Sequence, residues 1–103
     1  MIRVAVLYPT KEGSKFDPDY YLNKHIPLVK TRLGAALVRV EIDRGVAGGA
    51  PGAPAPYVYI AYLHFNSVTD FQKAFGPNTK EIMGDIPNYT NIQPVVQISE
   101  IVG

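Results

Sequence analysis

Histidine is scarce in this chain of 103 residues: His25 and His64 are its only two. His25 lies in the stretch FDPDYYLNKHIPLV, residues 16–29, with Tyr20 and Tyr21 one turn before it and Pro27 two residues after it. An imidazole is the side chain most readily poised to move a proton near neutral pH. On a helix, Tyr21, His25 and Leu28 share a face at spacings of four and three. A tyrosine hydroxyl one turn from the ring is placed to orient it, or to meet a ligand oxygen. The chemistry this pattern supports is general acid–base work by His25 on an apolar molecule carrying a carbonyl or hydroxyl, with Tyr21 orienting it. The competing reading is a histidine packed at a helix–sheet seam.

Further polar groups are candidates to line the same pocket: Tyr8 at the end of the first strand, Tyr20 beside Tyr21, and Tyr62 and His64 on one face of a later strand. Seven tyrosines, four phenylalanines and no tryptophan suit an apolar pocket with a few hydroxyls. Packing is the main competing role for each of them. Pro27 inside a helix removes the bond to the carbonyl of Asn23 and clashes with it, at a cost of about 3 kcal/mol. The helix must kink or restart there, and a kink beside His25 opens a gap that the histidine would line. The alternative is a break that follows the twist of the sheet.

Several signatures are missing. No G-x-G-x-x-G follows the first strand, and there is no P-loop and no G-x-S-x-G elbow. GAPGAPAP is rich in glycine but no helix start follows it. Nothing implies a nicotinamide, flavin or nucleotide, and two histidines with no cysteine argue against a metal centre within one chain. Glu12, Asp17 and Asp19 read as helix-start acids rather than a catalytic dyad.

The elements that must position these residues follow from periodicity. Ile2, Val4, Val6 and Tyr8 alternate with Arg3, Ala5 and Leu7, a strand pattern. Asp17 caps a helix with Pro18 at its first position, and Leu22, Ile26, Val29 and Leu33 form its apolar stripe, with His25 beside the stripe. Gly34 ends it. Residues 36–43 form a second strand and 57–65 a third. Between them, 44–56 carries glycines, prolines and alanines, a long mobile connector without regular structure and most simply a tolerated insertion. Ser67 caps a second helix with Phe71, Ala74 and Phe75 inward. Gly76–Pro77 interrupts it, residues 78–83 add a turn, 84–89 form a loop, and 92–102 form the last strand. The order is ferredoxin-like βαββαβ: one domain, residues 1–103, with a four-stranded antiparallel sheet and two helices on one face.

Composition narrows the function classes. The net charge is +1 with no run of like charge, which argues against nucleic acid or an acidic membrane surface as partner. No segment approaches the roughly 20 apolar residues of a membrane span. With no cysteine, a cytoplasmic home is the expectation. The third strand has two largely apolar faces: Tyr57, Tyr59, Ala61, Leu63 and Phe65 on one, Val58, Ile60, Tyr62 and His64 on the other. Two helices cover only one face of a sheet. The other predicts an interface, most simply a homodimer through the sheet face.

The segment FDPDYYLNKHIPLV resembles the F-D-x-x-Y-Y-x-x-x-H-x-P-L motif of the EthD domain, named for ethyl tert-butyl ether degradation. The closing segment DIPNYTNIQPVVQISEIV also resembles that family's. The resemblance implies a dimeric α+β barrel with a helix–sheet cavity in each subunit. It places Tyr21, His25 and Pro27 on the motif's tyrosine, histidine and proline. It implies breakdown or tailoring of small organic molecules, either by a cofactor-independent enzyme or by a non-catalytic accessory protein of an oxygenase-type degradation system.

Overall fold

Alternation carries straight into structure. In the computed structural model, which describes all 103 residues, strand β1 (Ile2–Pro9) buries Ile2, Val4 and Tyr8 on one face. Strand β3 (Tyr57–Phe65) buries Tyr59, Ala61, Leu63 and Phe65 on the same side. Their antiparallel register sets Val4 opposite Leu63 and Val6 opposite Ala61. Strand β2 (Arg39–Arg44) pairs with β3, and strand β4 (Val95–Glu100) pairs with β1, both antiparallel. The sheet order is β2-β3-β1-β4.

Helices cover one face of this sheet. The first runs continuously through α1 (Pro18–Tyr20), a π-helical turn (Tyr21–His25) and α2 (Ile26–Leu33). Asp17 caps it, its carboxylate accepting from the Tyr20 N–H at 3.2 Å. Gly34 ends it at φ +59°, a backbone setting that favours glycine. The second begins with Ser67 accepting from the Asp70 N–H at 3.1 Å, runs through α3 (Val68–Phe75), and continues after a turn at Gly76–Asn78 as α4 (Thr79–Asp85). Val29, Leu33 and Ile82 from the helices meet Ile2, Val4, Leu63 and Phe65 from the sheet in one core. No helix is long and apolar enough to cross a membrane.

The ferredoxin-like βαββαβ order stands, but the α+β barrel implied by the resemblance does not form. The sheet is open: β2 and β4 are its two edges and do not pair with each other. A closed barrel leaves no edge strand, whereas β2 and β4 each have a neighbour on one side only.

Several boundaries also differ. Residues 34–36 form a turn of 3-10 helix, so the second strand starts only at Arg39. Residues 84–89, expected as loop, instead complete α4 and a turn at Ile86–Asn88. The last strand begins at Val95, after Pro94, which lacks the N–H a ladder needs. The connector over 44–56 is tied down rather than free. Gly45 N–H donates to the Val58 carbonyl at 2.9 Å, Gly48 N–H to that of Ala53 at 2.9 Å, and Thr10 N–H to that of Pro56 at 2.8 Å.

Candidate functional site

The π-helical turn positions the histidine. Pro27 offers no N–H, and the helix widens just before it, so that the Ile26 N–H donates to the carbonyl of Tyr21, five residues back. The extra residue in that turn shifts the apolar stripe. Tyr21, His25, Ile26 and Val29 are buried, whereas Leu22 is 43% exposed. His25 therefore lies on the inward stripe rather than beside it, and is only 4% exposed.

Asp85, at the end of α4, meets it from across the chain. His25 Nδ1 stands 2.9 Å from Asp85 Oδ2. The other carboxylate oxygen accepts from the Tyr20 hydroxyl at 2.6 Å and from Asn88 Nδ2 at 2.9 Å. Burial lowers the His25 pKa below the ordinary imidazole value, and the hydrogen bond and charge of Asp85 offset this only in part. For Asp85, burial pushes the pKa up, but hydrogen bonds from Tyr20, Asn88 and His25 outweigh it and hold the carboxyl below its usual range. At neutral pH this is a neutral imidazole against a carboxylate. A carboxylate only accepts, so Nδ1 carries the proton and Nε2 keeps its lone pair. His25 makes its side-chain hydrogen bond through Nδ1 alone, so Nε2 has no partner within the protein.

The ring lines a cavity of about 300 Å³ between helices and sheet, walled by sixteen residues of which thirteen are apolar. Val4, Val6, Ala61, Leu63 and Val96 form its sheet side, and Val29, Phe71, Phe75, Ile82 and Ile86 its helix side. His25 and Thr79 are the polar members. The ring of Tyr21 also lines it, stacked on His25 at 5.9 Å. The Tyr21 hydroxyl is buried without a partner. Burial, then the neighbouring Tyr8 and Tyr59, raise its pKa far above the ordinary phenol value, so it stays protonated.

The remaining candidates divide. Tyr20 joins the site through Asp85. Tyr8 lies behind it, its hydroxyl 2.6 Å from that of Tyr89 and its ring edge-on to Tyr21. Leu28 is half-buried and does not line the cavity. Tyr62 and His64 occupy the opposite face of the sheet, opposite Ala5 and Arg3. There the Arg3 guanidinium lies 5.2 Å from the Tyr62 ring centre, and His64 Nε2 is 2.8 Å from Glu41. They do not meet His25. Asp85, Asn88, Thr79 and Tyr89 were not singled out from sequence. Asp85 opens the closing segment DIPNYTN, but nothing local marks a residue 60 positions away as the partner of His25. No group of three His, Cys, Asp or Glu side chains converges to hold a metal ion.

The EthD domain model matches residues 14–93, which span the π-turn, the cavity helices and Asp85. The chain belongs to the EthD family. An EthD-like protein of Ralstonia eutropha shares 45% identity at a TM-score of 0.93, over 99% of this chain and 92% of that one. An EthD family protein of Bacillus halodurans, 18% identical over 99% of both chains, superposes at a TM-score of 0.70. A dimeric ferredoxin-like protein of unknown function from Thermobifida fusca, 15% identical over 97% of this chain and 90% of that one, reaches 0.59. The last two share the fold. No curated protein sequence matches significantly. EthD membership leaves the reaction open, because one fold hosts many chemistries.

Proposed function

We propose that this EthD protein binds a small apolar organic molecule bearing a carbonyl or hydroxyl in the helix–sheet cavity, with His25 as general acid/base. One observation carries the proposal: a neutral imidazole whose Nδ1 is tied to Asp85 lines an otherwise apolar cavity with Nε2 unpartnered. Orientation of the ring, expected of Tyr21, falls to Asp85, as a carboxylate orients a catalytic histidine. Tyr21 packs against the ring.

A panel of enolisable aryl ketones in D2O tests it. The wild type should speed α-deuterium incorporation, and His25→Ala should return the rate to that of buffer. Equal rates for wild type and variant would overturn the catalytic role.

A second reading is a binding protein without chemistry of its own, an accessory of an oxygenase-type system. It is favoured by the cavity wall, which offers no carboxylate, amine or thiol besides His25. Affinity for the ketones with no exchange would select it.

We also infer that two copies pair through the outer sheet faces, the sheets remaining open. Leu7, Ile60 and Tyr62 are half-buried there without a covering layer, and Val95 is 52% exposed. Light scattering at micromolar concentration should give a dimer mass; a stable monomer would exclude the pairing.

A further inference from the structure

Resting on the reading of the cavity as a ligand site, the geometry points to a narrower ligand class: a neutral phenol-type molecule whose hydroxyl donates to His25 Nε2. Donors and acceptors must match across the cavity wall. Asp85 can only accept, so it holds the imidazole proton on Nδ1 at 2.9 Å and leaves Nε2 as an acceptor. Tyr20 and Asn88 saturate the other carboxylate oxygen, which keeps Asp85 in that role. The ring forms part of the wall and its Nδ1 is taken by Asp85, so Nε2 is the nitrogen left to a ligand, and a polar group that reaches it must bring a hydrogen-bond donor.

Other chemistries fit worse. A ketone or ether oxygen placed at Nε2 would set acceptor against acceptor, so a ketone can enter only with its α-C–H toward that nitrogen and without the hydrogen bond a hydroxyl makes there. A carboxylate or phosphate would be buried among apolar walls that supply no lysine or arginine. A buried ammonium would find no carboxylate on the wall. Among neutral donors the walls favour an aromatic one. Phe71 and Phe75 stand in a near-parallel stack, ring centres 5.2 Å apart, and both line the cavity. A cavity of about 300 Å³ matches a single ring with a short alkyl chain.

The test is calorimetric binding of 4-butylphenol, 4-butylanisole and 4-butylbenzoate to the full-length protein. The pH is set at about 7.5, roughly a unit above the ordinary imidazole pKa. The phenol should bind tightest. Its methyl ether, of similar shape but with no proton to give, should bind about tenfold more weakly, the worth of one neutral hydrogen bond. The benzoate should show at least about a hundredfold loss, because its charge is left unpaired.

In His25→Phe the phenol-to-anisole ratio should fall to within about twofold, since only the hydrogen bond is removed. Should that variant fail to fold, the wild-type ¹⁵N signal of His25 Nε2 decides the same point: it should move with the phenol and not with the anisole. Anisole binding as tightly as the phenol, benzoate binding comparably, or no binding by any of the three would overturn the inference. A phenol preference without ketone exchange keeps this inference and removes the catalytic reading. Exchange without a phenol preference does the reverse.

Discussion

Replacing Asp85 by asparagine tests the pairing on which the site depends. The side chain keeps its shape, but one of two acceptor oxygens becomes an NH2 donor. The oxygen that serves Tyr20 and Asn88 has the firmer claim, with bonds of 2.6 and 2.9 Å. The new amide nitrogen then faces His25 Nδ1, formerly 2.9 Å from a carboxylate oxygen. Two N–H donors cannot share that gap, so the ring should move its proton to Nε2 and accept at Nδ1.

A hydrogen bond to a charged group, worth about 1.5–3 kcal/mol, becomes a neutral one worth about 0.5–1.5 kcal/mol. The expected loss is therefore about 1–2 kcal/mol. At about 4–8 °C per kcal/mol for a domain of this size, Tm should fall by roughly 5–15 °C. Urea denaturation reads the energy, and long-range ¹H–¹⁵N spectra of the imidazole read the tautomer. A loss below about 0.5 kcal/mol, together with a proton still on Nδ1, would refute the reasoning, because the bond would then be neither charge-assisted nor orienting.

Other variants probe the surroundings. Tyr21→Phe removes a buried hydroxyl that has no partner, so stability should hold or rise by up to about 1 kcal/mol in urea denaturation. Gly45→Ala would drive a Cβ into the carbonyl of Tyr57 and against Ala55. It should cost at least about 1 kcal/mol and speed amide exchange at Gly45, which donates to Val58. The His25 pKa lies below 6.5, so the unfolded chain binds the proton more readily. Stability should thus fall as pH drops from about 6.5 toward the folded-state pKa, with Asp85 adding a further loss only at lower pH. Equilibrium unfolding as a function of pH should show that slope in wild type and lose it in His25→Gln.

The βαββαβ order was legible because β1 alternates, β3 is an unbroken run of β-branched, aromatic and other apolar residues bounded by Pro56 and Asn66, and the caps at Asp17, Gly34 and Ser67 are conventional. The position of His25 relative to the core was not. A straight helix of 3.6 residues per turn puts Leu22 inward, and only the π turn before Pro27 moves Tyr21 and His25 there. The sequence announced the disturbance through Pro27 but not its form, since kink, restart and wide turn all answer a missing N–H. Asp85 stayed hidden because α4 looked like one short turn followed by loop, and because a pairing across 60 residues leaves no periodic trace. The barrel was expected from the resemblance and from pairing two sheets by their apolar faces, and the two edge strands of the open sheet correct it. Tyr62 and His64 illustrate the limit of face assignment: alternation paired them correctly with each other, yet could not say which face the helices cover.

The most direct measurement is a crystal structure of the protein grown with 4-butylphenol. The aromatic ring should lie between the helices and the sheet, with its oxygen within about 3 Å of His25 Nε2 and Nδ1 still on Asp85. A phenol bound elsewhere, or a cavity closed by its own side chains around His25, would contradict the assignment of this cavity as the ligand site.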